Sequence, residues 1–197
     1  MNIKKCKRIV VKIGTSTLAY ENGSLNIRRI EQLTRTLSDF KNAGHEIVMV
    51  SSGAVGSGYA RLALRKYPSS LTEKQACAAV GQIQLMKLYE NFFAEYGHPI
   101  GQILMTKDVI DNPKRFEYAR GTFNRLIEMG CVPIVNENDP LSIEELKFGG
   151  NDTLSAYVGI VCGADLIINL SDIDGLYDSD PKSNPNAKLI DRVEEIT

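Results

Sequence analysis

The sequence has few residues of the kinds that form disulfides or bind metals. It contains only two histidines, His45 and His98, and each stands next to a glycine, where a turn residue is the expected role. Its four cysteines are Cys6, Cys77, Cys131 and Cys162. They lie far apart and form no C-x-x-C pair, so we interpret them as reduced thiols and predict no metal-binding residue.

Long apolar runs and a dominant charge are also missing. The first apolar run, at residues 9–11, is interrupted by Lys12 and is too short for the core of a signal peptide. No stretch approaches the roughly 20 apolar residues of a membrane span. A formal net charge of -1 gives no electrostatic argument for nucleic acid or a membrane surface as a partner. We therefore expect a cytoplasmic protein that binds neither.

What the sequence does contain is an alternation of short apolar runs with segments of helical period. The pattern predicts strands at residues 8–13, 46–50, 100–105, 132–135 and 166–170. It predicts helices at residues 27–40, 60–64, 72–96, 113–130 and 151–161. This order indicates an α/β fold with a mostly parallel central sheet and helices on both faces. Residues 178–186 are predicted to form a turn-rich surface loop.

Two of these helices carry recognisable start signals. Thr72-Glu73-Lys74-Gln75 has the pattern of a capping box, and Asn112-Pro113 supplies a cap followed by a proline in the first turn. Gly44 and Gly130 are positioned to end the preceding helices.

Small and polar residues follow each predicted strand. These segments are KIGTS (12–16), SSGA (51–54), TKD (106–108), NEND (136–139) and SDIDG (171–175). In an open parallel sheet, ligands bind beyond the carboxyl ends of the strands, so the five segments are predicted to form a composite site. The alternative is that parallel strands need turn residues at these positions in any case.

Glycines and one lysine point to an anionic ligand. Gly14 and Gly53 each follow a strand directly, and glycine lets backbone N–H groups approach phosphate or carboxylate closely. The P-loop pattern is absent, and residues 53–58 read G-x-x-G-x-G after the second strand, which makes a dinucleotide-binding dehydrogenase a weak alternative. Lys12 breaks an apolar strand, either to contact a phosphate or to extend its ammonium to the edge of the sheet.

Five segments together resemble the amino acid kinase family, from residue 8 to the end of the chain. They are VKIGTS (11–16), SSGAV (51–55), NEND (136–139), FGGNDTLSA (148–156) and LSDIDGLY (170–177). The third and fourth are similar to those members of the family that act on glutamate. The resemblance implies a three-layer α/β/α sandwich. It also implies transfer of the γ-phosphoryl group of ATP, with Mg²⁺, to the side-chain carboxylate of L-glutamate, the first step of proline synthesis.

Matching positions imply a role for each site residue. Lys12 would be catalytic, in contact with the transferring phosphate, and Asp152 would orient the catalytic lysines. The expected ATP-binding residues are Lys12, Gly14, Ser171 and Asp172. The expected glutamate-binding residues are Ser52, Gly53, Asp139 and Asn151. Taken singly, Ser52, Asp139 and Asn151 would be interpreted as a strand-end hydroxyl, an Asx-turn and a helix N-cap.

The chemistry agrees with this assignment. A carboxylate nucleophile is already ionised at pH 7 and needs no general base, which fits a chain without a histidine suited to that role. The remaining task is to bring two anions together, and this requires lysine, backbone N–H groups and Mg²⁺.

The sequence departs from the family pattern at two places. Gly150 stands where the family usually has an acidic residue, so either a contact to the substrate ammonium is lost or the backbone requires glycine there. The family's kinase domain continues past Thr197 with a glycine-rich, lysine-bearing segment, so we expect residues 1–197 to be a C-terminally incomplete kinase domain.

Three hypotheses follow. The chain is a glutamate-phosphorylating enzyme, a binding protein that retains the ligand site, or a kinase of the same fold for another acidic molecule. The resemblance also implies a dimer or tetramer and feedback inhibition by proline.

Overall fold

The computed structural model describes residues 3–20, 22–142 and 150–193. Its central sheet has five strands in the order β3-β4-β2-β1-β5, and every neighbouring pair is parallel. The strands are β1 (Arg8–Ile13), β2 (Glu46–Ser51), β3 (Ile100–Met105), β4 (Val132–Glu137) and β5 (Leu166–Leu170). The predicted parallel α/β sheet is therefore confirmed, and β2 and β4 each extend past their predicted ends.

Seven α-helices connect or flank these strands in the described parts of the chain. They are α1 (Thr15–Leu18), α2 (Ile27–Asn42), α3 (Ala54–Arg61), α4 (Leu71–Ala94), α5 (Asp108–Asp111), α6 (Pro113–Glu128) and α7 (Asn151–Cys162). The turn-rich loop at 178–186 lies within a short antiparallel hairpin formed by β6 (Leu176–Tyr177) and β7 (Leu189–Ile190). Among the described helices, none has the length and apolar character that a membrane span requires.

Two cores, one on each face of the sheet, produce the three layers. Alternate residues of β1 illustrate the division: Ile9 and Val11 pack in the core beneath α2 and α4, whereas Val10 packs in the core beneath α6 and α7. Central strands such as β1 and β2 are apolar on both faces, as expected for a parallel sheet covered by helices.

Local signals placed two helix starts wrongly. The predicted capping box at residues 72–75 is displaced: Ser70 is the N-cap of α4, and it forms the reciprocal bonds with Glu73. Of the segment predicted as a helix at 60–64, only Ala60 and Arg61 are helical, and they form the end of α3. This helix already begins at Ala54, after Gly53, which caps it in a left-handed conformation. The N-cap of α4 is thus earlier in the chain than the cap pattern predicted, and the start of α3 was missed because a glycine caps it by conformation, without a side-chain bond.

The strand order creates a crevice at the carboxyl edge. The chain leaves β1 toward β2 on one side, whereas it crosses from β4 to β5 on the other side of β1. In open α/β sheets, ligands bind at such a switch point, which here lies between the ends of β1 and β5.

Candidate functional site

The predicted site residues in the described parts of the chain all lie at the carboxyl edge of the sheet. We name two groups of them. The lysine edge comprises Lys12, Gly14, Ser171 and Asp172, at the ends of β1 and β5, together with Asp152 of α7. The amide pocket comprises Ser52, Gly53, Asn136, Asp139 and Asn151, at the ends of β2 and β4 and the start of α7. Within the FGGNDTLSA motif, Phe148 and Gly149 lie outside the described residues.

An ion pair is the central feature of the lysine edge. Lys12 is only 8% exposed, and its Nζ lies 2.7 Å from Oδ1 of Asp152, whose side chain is largely exposed. The ammonium of Lys12 therefore reaches the edge of the sheet, and a carboxylate from α7 fixes its direction. This is the contact expected if Asp152 orients the lysine, and the catalytic roles of both residues stay predictions.

The ends of β1 and β5 are joined by the backbone. The N–H of Gly14 donates to the carbonyl of Leu170 at 3.3 Å, and α1 begins directly after this glycine. Ser171 follows Leu170 and accepts a hydrogen bond from the Ile173 N–H on its Oγ, 3.3 Å away. Gly14 and Ser171 are thus adjacent, as an ATP site spanning β1 and β5 requires.

Asp172 has a partner that the sequence did not reveal. Lys182, from the loop between β6 and β7, donates to Oδ2 of Asp172. This hydrogen bond and the charge of Lys182 hold the pKa of Asp172 below its ordinary value, and Asp172 in turn raises the pKa of Lys182. Both groups are exposed, so solvent screens the pair strongly.

The amide pocket is a polar cleft of about 300 Å³. Its lining residues are Thr15, Ser52, Gly53, Ala54, Val55, Gly56, Tyr67, Asn136, Glu137, Asp139 and Asn151. The four predicted glutamate-binding residues are therefore in one cavity, and a cleft of this size suits a small polar molecule rather than a large apolar one.

Asn151 connects three elements around this pocket. Its Nδ2 lies 2.6 Å from the carbonyl of Ser51, 2.8 Å from Oγ of Ser52 and 3.2 Å from Oδ1 of Asn136. An amide group has only two N–H hydrogens, so protein acceptors engage both of them. The interpretation of Asn151 as a helix N-cap is wrong, because Gly150 occupies that position and Asn151 is the first helical residue.

Two glycines at the pocket adopt conformations that favour glycine. Gly53 has φ 90°, and Gly150 has φ 135° with ψ 165°. Each is the N-cap of a helix, so the first N–H groups of α3 and α7 are available at the pocket's border. At Gly150 the backbone itself requires glycine, which favours this explanation over a lost acidic contact.

Sequence reasoning missed three side chains that support the site. Gln82 of α4 accepts a hydrogen bond from Asn136, Tyr89 of α4 is hydrogen bonded to Ser51, and Lys182 pairs with Asp172. A glutamine within the apolar period of a long helix was the only signal for Gln82. Nothing in the sequence pattern distinguishes Lys182 from other surface lysines.

The cysteines and histidines take no part in the site. All four cysteines are free, and burial raises the pKa of the Cys162 thiol to about 11. His98 follows α4 and precedes β3, at the opposite edge of the sheet, and burial lowers its pKa. No group of three or more His, Cys, Asp or Glu suited to a metal ion occurs in the described ranges.

Comparisons with known proteins identify the family and the fold of this chain. The model of the amino acid kinase family matches residues 7–196. A glutamate 5-kinase of Clostridium perfringens is 54% identical, over 99% of this chain and 74% of that protein. A glutamate 5-kinase of Listeria monocytogenes is 49% identical, over 100% of this chain and 72% of that protein. The solved UMP kinase of Bacillus anthracis, at 19% identity, matches 93% of this chain and 72% of its own with a TM-score of 0.63, a likeness of fold alone.

Proposed function

The chain belongs to the amino acid kinase family, and on that premise we propose that it transfers the γ-phosphoryl group of ATP to the side-chain carboxylate of L-glutamate, the first step of proline synthesis. The observation that carries the proposal is the position of the Lys12–Asp152 ion pair next to a small cavity lined by amides, hydroxyls and carboxylates. Relatives at about half identity that are named glutamate 5-kinase support the choice of acceptor.

In this proposal the amide pocket binds glutamate by its α-amino and α-carboxylate groups. The carboxylate of Asp139 binds the ammonium, and Oδ1 of Asn151 accepts from it, because both amide hydrogens of Asn151 are already engaged. The Ser52 hydroxyl and the first N–H groups of α3, after Gly53, bind the α-carboxylate. The side-chain carboxylate of the substrate then extends toward Lys12.

The lysine edge binds the nucleotide. Lys12 is a point charge that neutralises the transferring phosphoryl group, and Asp152 holds it in place. Gly14 lets the backbone approach the phosphates, and Ser171 and Asp172 contact the nucleotide at the end of β5. We expect Mg²⁺ to bind together with the nucleotide phosphates, where its charge would reduce the repulsion between the two anionic substrates.

The reaction itself requires little of the protein beyond positioning. One substrate carboxylate oxygen forms a bond to the γ-phosphorus as the bond from this phosphorus to the β–γ bridging oxygen breaks, giving an acyl phosphate and ADP. No proton moves at the nucleophile, because the carboxylate is ionised at pH 7. The residues present therefore act by orienting two anions and reducing their repulsion.

The test is acceptor-dependent phosphoryl transfer measured in two ways. ADP release is followed with glutamate, aspartate, N-acetylglutamate or UMP as acceptor, and hydroxylamine traps any acyl phosphate as a hydroxamate. We expect both signals with glutamate alone. Glutamate binding by calorimetry without ADP release would support a binding protein instead, and release with a different acceptor alone would reject glutamate as the substrate.

Three further parts of this proposal rest on the family resemblance. We propose that residues 1–197 form part of one kinase domain, that the chain assembles as a homo-oligomer, and that proline inhibits it. Light scattering measures the assembly, and adding proline to the ADP assay measures the inhibition. A monomer, or an activity insensitive to proline, would reject the respective part.

A further inference from the structure

A glutamine interrupts the buried face of α4. Ala78, Gln82, Leu85 and Tyr89 recur at helical spacing, and all four are buried, with Gln82 only 8% exposed. A polar side chain in such a stripe costs free energy unless it is hydrogen bonded. Among the described residues, Nε2 of Gln82 has no partner, so the only compensation lies at its oxygen.

That oxygen determines the orientation of a second amide. Oε1 of Gln82 accepts a hydrogen bond from Nδ2 of Asn136 at 2.9 Å, and Asn136 is itself only 3% exposed. With its amino group turned to Gln82, Asn136 must direct Oδ1 toward the pocket. There Oδ1 accepts from the Glu137 N–H at 2.9 Å and from Nδ2 of Asn151 at 3.2 Å.

This series of hydrogen bonds ends at Asn151, one of the predicted glutamate-binding residues. Asn151 directs its amino group to Asn136, Ser51 and Ser52, so its Oδ1 points away from these acceptors. Gln82 itself does not line the amide pocket. Gln82 therefore does not contact a ligand there directly, and hydrogen-bonded amides connect it to the pocket.

Close packing of two helices fixes Gln82 in place. A Cβ added to Gly81 would lie 1.8 Å from the carbonyl oxygen of Ala54, and one added to Gly58 would lie 1.8 Å from that of Cys77. Since α3 and α4 touch through their backbones at both points, α4 has no room to rotate or slide. Gln82, which follows Gly81, is therefore held in a fixed position over the carboxyl end of β4.

We propose that Gln82 is a positioning residue of the amide pocket, which fixes the orientation of Asn151 through Asn136. The proposal rests on the proposed function in one respect, since the ligand is taken to be glutamate. The hydrogen bonds from Gln82 to Asn151, which we call the relay, do not depend on which ligand binds. Loss of the Gln82 oxygen leaves the Asn136 amino group unpaired and frees the Asn136 amide to rotate, so Asn151 loses one of the three acceptors that orient its amino group. Asn151 is then held by Ser51 and Ser52 alone, and the acceptor that it presents to a ligand ammonium is less firmly fixed.

The test compares Gln82→Met with Gln82→Glu. Methionine keeps the length and apolar stem but removes the acceptor, whereas a carboxyl group keeps it in either protonation state. The readout is the ¹⁵N–¹H signal of the Asn151 side-chain amide, identified by its loss in Asn151→Asp. We expect Gln82→Met to shift this signal and speed its hydrogen exchange roughly tenfold, as loss of a typical hydrogen bond does. We expect Gln82→Glu to leave it near the native position.

A second measurement connects the relay to binding. Calorimetry with glutamate should show a roughly tenfold weaker Kd for Gln82→Met, with the ATP Kd unchanged. The matched control is Gln102→Met, on the exposed face of β3, which should alter neither quantity. A merely structural glutamine would change thermal stability without changing the ratio of the two Kd values.

The outcomes separate this inference from the proposed function. An unchanged Asn151 signal in Gln82→Met overturns the relay. If Gln82→Met does not fold, a shifted Asn151 signal in Gln82→Glu overturns it equally. A shifted signal in Gln82→Met, in a chain whose wild type does not bind glutamate, supports the relay and rejects glutamate as the ligand.

Discussion

On the amide-pocket side of the sheet edge, polar side chains are buried and bonded to one another, whereas on the lysine-edge side most are exposed. Asn136 and Gln82 are nearly inaccessible, and Asn151 bonds to three acceptors. Ser171 and Asp172 are exposed, and the partner of Asp172 is a loop lysine. Lys12, buried along its length, is the exception on its side.

The difference indicates that the amide pocket and the lysine edge have different roles in binding. A pocket that must distinguish one small molecule from another gains from amides fixed by buried bonds, because a mismatched ligand leaves them unpaired. A site for a polyanion gains mainly from charge and backbone N–H groups, which tolerate more freedom. The two sides should therefore respond to substitution in different ways, which the following four predictions address in order of decreasing effect.

Replacing Lys12 should give the largest loss. We expect Lys12→Ala to lower kcat on the order of a hundred- to a thousandfold, because the developing charge on the phosphoryl group loses its nearest cation. Glutamate binding by calorimetry should be nearly unchanged, since the amide pocket does not include this residue. Lys114→Ala, on the surface of α6, is the control. A variant with full activity and a native circular dichroism spectrum would remove Lys12 from the mechanism.

Replacing Asp139 should produce the reverse pattern. We expect Asp139→Ala to weaken glutamate roughly ten- to a hundredfold, because an ammonium loses a charged hydrogen-bond partner worth about 1.5–3 kcal/mol. ATP binding should change little. Asp39→Ala, an exposed aspartate of α2, controls for the loss of one charge. Equal losses for both ligands would indicate that Asp139 only shapes the turn after β4.

Gly150 lies between the two sides of the site, because the helix that it caps supplies Asn151 to the amide pocket and Asp152 to the lysine edge. At φ 135° we expect Gly150→Asp to cost about 1–3 kcal/mol of unfolding free energy and to weaken both ligands. Gly44→Asp is the matched control. Its glycine has φ 97° and open space around it, as Gly150 has, but lies away from the site. Tighter glutamate binding by the Gly150 variant would restore the lost-contact explanation.

The smallest effect should come from Lys182. The ion pair with Asp172 forms above the folded-state pKa of Asp172, which Lys182 holds below its ordinary value, and is lost as the pH falls through that pKa. We expect Lys182→Ala to raise the pKa of Asp172 toward its ordinary value in an NMR titration, with little change in Tm. Lys188→Ala, in the same hairpin, should leave this pKa unchanged. A marked fall in Tm would show that the lysine edge is as firmly bonded as the amide pocket.

The sequence predicts where the strands end at this site better than it predicts which side chains contact one another. Strand ends such as Gly14 and Ser171 could be located, because parallel strands bring their carboxyl ends to one edge whatever the details of packing. The resemblance to a family assigned roles to Lys12 and Asn151. Physical chemistry alone left each of these residues with two interpretations.

The remaining features depend on distant packing. Gln82 follows Gly81 in a helix whose register over β4 is set by backbone contact with α3, and no local pattern encodes that contact. The start of α3 at Ala54 was missed because Gly53 caps it by conformation, without a side-chain bond. Lys182 meets Asp172 only because the hairpin turns back to the end of β5.

The pairing of β1 with β5 has a consequence for how the chain folds. The carboxylate of Asp165 accepts hydrogen bonds from the backbone N–H groups of Lys7 and Arg8, across 158 and 157 residues. Such long-range closure is slow, because the loop entropy is lost before the contact is gained. During synthesis β1 emerges before β5, and one edge of β1 keeps its backbone N–H and C=O groups unpaired until β5 has been made. In that interval this edge is open to aggregation. The junction between Gly14 and Leu170, where the phosphates are proposed to bind, should be among the last parts to form.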